Sequence, residues 1–457
     1  MNKLALLGGK PLRTKPFSNR VSMGREEKEA VMRVMDSDVL SGFVGAAGRF
    51  FNGGPEVVSF ESAWSEKYGF QHAISTNSWS TGLQVAIGAL GIEPGDEVIC
   101  PPYTMSASAT VAMFYGGIPV FADIDPWRFS IDPVDIERKI TARTKAIVVV
   151  HLFGCPADMD PILSLAKKYD LKIIEDAAQA PGVLYKGQPV GAIGDVGGFS
   201  LNFHKHIQTG EGGLIVTNND DTALRCRLIR NHGENAADDY GLTDISNTLG
   251  SNYRYTELQA AIAKAQFEKL DDMLKHRAEL ASALDQRIDQ ISGLERQKIE
   301  ATSTHAYYMY PIIFDADVIG ISRSTFVRAV NKELPVSRHW DTTPFAEGYV
   351  KPLYWNRMYQ NQIAIGKKGF PFSCNSNVEY DYSVGSCPVV EDLYRSKMLI
   401  SPLVREGITL EDIHDFANAI EKVIANIEEL KVIDSEQTCE IFDPVKAIDE
   451  NVNKGSE

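Results

Sequence analysis

The sequence predicts an α/β protein: a large domain with a mostly parallel sheet between helical layers, then a smaller C-terminal α+β domain. Three observations predict it. Short runs rich in Val and Ile alternate with helical stretches from about residue 25 to 219. The chain, at 457 residues, exceeds what one hydrophobic core usually serves. Leu258, Ile262, Leu270, Leu274, Leu284 and Ile288 recur at roughly helical spacing over residues 256–291, a length that suits a connector between domains.

In chain order, residues 1–24 read as an N-terminal arm and 25–255 as the large domain. Within the latter, residues 86–90 belong to a helix ending near Gly91, and Glu97-Val-Ile-Cys100 is a short buried strand running into a Pro-Pro turn. Further strands are expected at 119–122, 146–150, 171–174 and 213–217, with a helical run at 160–169. A connecting helix is assigned to 256–295 and the small domain to 296–433, opening with a strand at 307–314 and closing with an amphipathic helix at 409–430. Residues 340–386 form an insert rich in aromatics, glycine and proline, as expected of an active-site flap or a dimer contact. Its Tyr354, Trp355, Tyr359, Phe370 and Phe372, with Arg357, Lys367 and Lys368, suit a sugar ring and a phosphate or nucleotide, or equally dimer packing. The acidic residues 434–457 are expected to be a disordered tail.

Hydrophobic and charged contents of 44% and 23% are those of a soluble globular protein. A net charge of −15 argues against a broad nucleic-acid surface. No apolar run approaches the roughly 18 residues of a membrane span, and the apolar run at the N-terminus is too short for a signal peptide. Six scattered cysteines without a C-x-x-C pair read as reduced thiols, so the protein is expected in the cytoplasm.

The chemistry centres on Lys205, five residues before the glycine-rich turn Gly210-Glu-Gly-Gly213. Asp176 lies upstream, just after the apolar run Ile173-Ile174, where ligands bind beyond the carboxyl ends of parallel strands. A lysine and an aspartate so placed suggest a pyridoxal phosphate site. The amine can form a Schiff base with the cofactor aldehyde, and the aspartate can keep the pyridine nitrogen protonated. Gln179 can reach the phenolic oxygen. Ser78, Trp79 through its backbone, and Ser80 precede a helix and form a candidate phosphate site, which Ser200 can extend. The plainer readings are a surface lysine, an aspartate N-cap and an ordinary serine cap. His204 and His206 flank the lysine without a third metal ligand, and Gly-Glu-Gly-Gly lacks the Gly-Lys-Ser/Thr ending of a nucleotide loop.

Taken with Gly54-Pro-Glu-Val-Val-Ser-Phe-Glu61, Asn77-Ser-Trp-Ser-Thr-Gly-Leu83, Gly95 to Thr104, Pro119 to Asp125, Glu175-Asp-Ala-Ala-Gln179, Phe199 to Gly213, Arg230-Asn-His-Gly233 and Asn252 to Ala261, the chain resembles the DegT/DnrJ/StrS family of sugar aminotransferases. The resemblance spans nearly all of residues 4–430 and implies a fold-type-I pyridoxal phosphate enzyme of aspartate-aminotransferase-like architecture. It implies that Lys205 carries the cofactor, Asp176 pairs with the pyridine nitrogen and Gln179 sits near the phenolic oxygen. Ser80 and Ser200 would bind phosphate, and Asn252 would reach the cofactor phosphate of a neighbouring subunit, giving a homodimer with shared sites. Three departures stand out: Trp79 replaces the usual glycine, Met105 replaces the aromatic that stacks on the cofactor ring, and the usual substrate loop becomes residues 338–344 plus the insert.

The implied reaction moves an amino group from glutamate or glutamine to a keto-sugar or keto-cyclitol. The opening Leu4-Ala-Leu-Leu-Gly-Gly-Lys-Pro11 looks like the branch acting on cyclitols and aminohydroxybenzoate precursors. The close rival is a sugar dehydratase, whose branch has histidine in place of the lysine; Lys205 favours transamination. A non-catalytic regulator is the rival from another class, opposed by the retained lysine, aspartate and phosphate turn.

Overall fold

The computed structural model describes residues 3–336 and 342–437. Seven strands form the large sheet: β1 (His72–Thr76), β2 (Glu97–Cys100), β3 (Ile118–Phe121), β4 (Thr144–Val150), β5 (Lys172–Asp176), β8 (Val196–Ser200) and β9 (Gly213–Thr217). A small hairpin, β6 (Leu184–Tyr185) and β7 (Gln188–Pro189), lies between β5 and β8 in the chain. The sheet order is β1-β9-β8-β5-β4-β2-β3. Pairings from β3 through β8 are parallel, and β9 runs antiparallel to both β8 and β1. One apolar cluster includes Val98, Val148, Ile174 and Ile215, another Ile99, Val149, Ile173 and Val216. Neighbouring strand residues thus feed different cores, as the pleat requires when both faces are covered.

The expected strands are present, and β1 and β8 add to them. Strand β8 reads Val-Gly-Gly-Phe-Ser, and glycine is depleted in strands. Both glycines are needed for close approach: a Cβ on Gly197 would stand 2.5 Å from Glu175 O, and one on Gly198 2.0 Å from Leu214 O. The connecting helix is two helices, Glu257–Glu268 and Leu270–Ile288, meeting at Lys269 (φ −94°, ψ −6°). Thr256 caps the first, its hydroxyl accepting from Gln259 N at 3.3 Å.

The small sheet is antiparallel, in the order β10 (Leu294–Arg296), β11 (Tyr310–Phe314), β13 (Met398–Ser401) and β12 (Ala346–Glu347). Its core joins Leu280, Leu284, Phe326, Phe416 and Ile420 to Leu4 and Phe17 of the N-terminal arm.

Two expectations change. The insert's Tyr354, Trp355, Tyr359 and Phe372 are buried in the cluster that holds Val98, Phe121 and Val148. The Phe121 ring packs against those of Tyr354, Tyr359 and Tyr382, and the Tyr382 hydroxyl donates to Pro119 O at 2.7 Å. Burying apolar surface against the large domain outweighs presenting these rings to a ligand or a second copy. Phe370 is half-buried, whereas Lys367 and Lys368 are exposed. The second change concerns the C-terminal stretch, where a helix, Ile427–Gln437, continues past residue 434. The Asp434 carboxylate accepts from Ser322 N at 2.9 Å, which ties this helix to the small domain. The rest of the expected tail, and most of the 338–344 loop, lie outside the described residues.

Candidate active site

The site lies at the carboxyl ends of β4, β5 and β8. Strand β5 ends on Asp176, which is buried and pairs in parallel register with Gly198. Its Oδ1 accepts from Trp79 Nε1 at 2.8 Å and from Ala178 N at 3.2 Å, and its Oδ2 from Ser108 Oγ at 2.6 Å. Trp79 and Ser108 thus touch the carboxylate across 97 and 68 residues of sequence.

Lys205 follows a turn in which its own N–H donates to Asn202 O at 2.9 Å, and Phe203 N donates to Gly210 O at 2.9 Å. Gly210 takes φ +80°, which only glycine adopts readily. The Lys205 side chain is 8% exposed. Its Nζ lies 4.4 Å from the centre of the Tyr308 ring. Burial brings its pKa down to about 8, partly opposed by the charge of Asp176. A buried lysine of this kind has free amine available near neutral pH, as attack on an aldehyde requires.

The loop is held from outside by Arg20 of the N-terminal arm, whose guanidinium donates to the Phe203 and His206 carbonyls. Glu406 receives Arg20 and a two-pronged contact from Arg277 at 2.8 and 2.9 Å. Burial opposes ionisation of Glu406, yet Arg277 and Arg20 hold its pKa at about 2. His206 is fully buried, with Nε2 2.8 Å from Ala306 O, and burial pushes its pKa well down. Among the described residues no group of three His, Cys, Asp or Glu side chains is arranged to hold a metal.

The turn before the helix Trp79–Ala89 comes against β9 because Gly213 has no side chain: a Cβ there would stand 2.6 Å from Trp79 N. Ser78 is the N-cap, its Oγ accepting from Thr81 N at 3.1 Å. The plainer reading of Ser78 therefore holds for its hydroxyl. The N–H groups of the first turn have no intrahelical acceptors, and Ser80 is exposed beside them. Ser200 is buried at the end of β8, its Oγ accepting from Asn202 N at 3.3 Å.

Gln179 is fixed at both ends of its amide. Its Oε1 accepts from Phe153 N at 2.7 Å and its Nε2 donates to Tyr349 OH at 3.0 Å. Phe153 takes φ +60°, an unfavourable conformation for a bulky residue. Its ring meets Tyr349 edge-on at 4.9 Å. Met105 is 57% exposed, and its Sδ accepts from Ala107 N at 3.1 Å. Asn252 is exposed, with its carbonyl 3.5 Å from Asn77 Nδ2, beside the turn that precedes the helix Trp79–Ala89.

Sequence reasoning missed Ser108, Tyr308 and Tyr349, and the side-chain role of Trp79. Each meets the site through the fold alone. The departure at Trp79 was the one available signal.

The residues present suit pyridoxal phosphate: a buried amine, a buried carboxylate with acceptor capacity to spare, and a helix N-terminus, an anion site, next to both. The DegT/DnrJ/EryC1/StrS aminotransferase family profile matches residues 26–376. The chain is 39% identical over 315 residues to the GDP-perosamine synthase of Caulobacter vibrioides, covering 66% of this chain and 81% of that one. It is 31% identical over 428 residues to the L-glutamine:2-deoxy-scyllo-inosose aminotransferase of Streptomyces lividus, covering 92% and 97%. The solved aminotransferase of Psychrobacter cryohalolentis superposes with a TM-score of 0.77 at 31% identity, over 90% of this chain and 100% of that one. The chain is an aminotransferase, and it belongs to the DegT/DnrJ/EryC1/StrS aminotransferase family.

Proposed function

We propose that this aminotransferase holds pyridoxal phosphate through Lys205 and passes an amino group from glutamate or glutamine to a keto-sugar or keto-cyclitol. The observation that carries the reading is the buried Lys205 amine, with a pKa of about 8, within electrostatic reach of the buried Asp176 carboxylate. When bound, the cofactor supplies an electron-withdrawing ring that loosens the α-proton of an amino acid. The protein supplies the rest. Lys205 Nζ takes that proton from the donor and hands it on, a task that suits a base titrating near the working pH. Asp176 keeps the ring nitrogen protonated, and Gln179 faces the phenolic oxygen. The first-turn N–H groups of Trp79 and Ser80, with the Ser80 and Ser200 hydroxyls, hold the phosphate, while Ser78 fixes the start of the helix. Met105 borders the ring.

Asn252 reaches the phosphate site of a second copy in a homodimer. Its exposure supports this. The names of the two relatives support a nucleotide-linked sugar or a cyclitol as acceptor, and one of them supports glutamine as donor. Neither the dehydratase nor the regulator reading finds support among these relatives. The five cysteines of the described residues are free, in keeping with a reducing cytoplasm. No helix among the described residues is long and apolar enough to cross a membrane.

The test is a pair of half-reactions. Glutamine or glutamate added to the cofactor-loaded protein should bleach its visible band, and an accepted keto-sugar or keto-cyclitol should restore it. A Lys205→Ala protein that kept full turnover would overturn the proposal.

A further inference from the structure

The Trp79 indole fills a slot made for it. It is 5% exposed. Gly82, on the same helix, would bring a Cβ to 2.7 Å from indole Cε3. Gly198, on β8, would bring one to 2.4 Å from Cζ3. The absence of both side chains lets the ring lie between the helix and the sheet with its N–H on Asp176 Oδ1 at 2.8 Å. A small residue at position 79 would leave that oxygen with Ala178 N alone, at 3.2 Å.

An ionised aspartate offers about four acceptor directions. Two on Oδ1 are taken, by Trp79 and Ala178, and one on Oδ2 by Ser108. One is left, and it is on Oδ2. The torsion that turns a carboxylate is broad and roughly two-fold, so an aspartate without such donors settles in several orientations.

We propose that Trp79 and Ser108 are positioning residues that lock the Asp176 carboxylate and reserve its one open acceptor direction, on Oδ2, for the N–H of the cofactor's pyridine ring. The proposal rests on the reading of Asp176 as the ring's partner. The two residues act through Asp176 and need not touch the cofactor ring themselves. The Trp79 side chain thus has a task that a glycine at this position cannot perform.

The experiment compares wild type with Trp79→Phe, Ser108→Ala and Asp176→Asn. Trp79→Phe keeps an aromatic ring in the slot and removes the N–H. Three readouts are taken: the dissociation constant of pyridoxal phosphate on reloading the cofactor-free protein, the pH midpoint of the visible band of the loaded protein, and the melting temperature of the cofactor-free protein. Trp79→Phe and Ser108→Ala should each weaken cofactor retention about ten-fold, the scale of one hydrogen bond to a charged group. Each should also shift the band's pH midpoint in the same direction as Asp176→Asn, by less. A purely structural role would move the melting temperature and leave the midpoint in place, and that result overturns the proposal. Wild-type retention and midpoint in both Trp79→Phe and Ser108→Ala, with both lost in Asp176→Asn, also overturn it while leaving the reading of Asp176 intact. Unchanged values in Asp176→Asn would remove that reading, and the proposal with it. Should Trp79→Phe not fold, Ser108→Ala carries the same test.

Discussion

The Lys205 Nζ lies over the face of Tyr308, 4.4 Å from the ring centre. An aromatic face attracts a cation, so Tyr308 favours the protonated amine. Tyr308→Leu removes that attraction and should move the midpoint for cofactor capture below its wild-type value near 8, by up to about one pH unit. Tyr308→Phe, which keeps the ring, should stay near wild type. Capture rates across pH 6 to 10 (about this range brackets the midpoint) decide it, and an unchanged midpoint in Tyr308→Leu would refute the role.

The same lysine weakens the cofactor-free fold. Its pKa falls from the ordinary 10.5 to about 8 on folding, so between these values the unfolded chain binds more protons than the folded one. Stability therefore rises with pH across that window, and below it the cost is full, about 3 kcal/mol. The cofactor-free Lys205→Met protein should be more stable than wild type at neutral pH by up to about 3 kcal/mol, with the difference nearly gone at pH 10.5. Urea midpoints at the two pH values test this; equal midpoints at neutral pH would contradict it.

Glu406 gives the opposite sign. Its pKa is lowered from 4.5 to about 2, burial being outweighed by Arg277 and Arg20, so its contribution is present above 4.5 and is lost as pH falls toward 2. Arg20→Met should cost about 3–5 kcal/mol, as expected when one partner of a buried ionic cluster is removed. It should also lower cofactor retention, because Arg20 holds the carbonyls on both sides of Lys205. Melting curves and retention measured together check this, and normal retention in a destabilised variant would separate Arg20 from the lysine loop.

From Tyr354 to Tyr382 the insert is anchored to the large domain. Tyr382→Phe removes the hydroxyl that donates to Pro119 O and leaves a buried carbonyl unpaired, at a cost of about 1–3 kcal/mol. The half-reaction with the amino donor should be unchanged. A lost half-reaction at wild-type stability would return these rings to a substrate role.

The fold was readable where chemistry and pattern coincide. Val and Ile runs located β2, β3, β4, β5 and β9, and the position after Ile173-Ile174 put Asp176 at a strand's carboxyl end. Strand β8 was not readable, because close contacts with Glu175 O and Leu214 O demand the residue type that propensity argues against. Lys205 and Asp176 could be found because each sits in a local motif. Ser108 and Tyr349 could not, since a serine meeting an aspartate 68 residues away, or a tyrosine meeting a glutamine 170 residues away, leaves no local pattern. At Tyr354, Trp355, Tyr359 and Phe372 the insert misled for a related reason: aromatic residues among glycines and prolines look alike whether they face a ligand or a core.

Trp79, Gly82 and Gly198 interlock, and this has a consequence for exchanging residues with relatives. An alanine at Gly82 in the presence of the indole would put a methyl 2.7 Å from the ring, and one at Gly198 would put it 2.4 Å away. A glycine at position 79 would instead empty a slot that nothing else fills. Neighbours in contact do not contribute additively, so substitutions at the three positions should be read together. A chimera that crosses between residues 82 and 198 and brings a side chain to either position while keeping Trp79 should lose its hold on the cofactor.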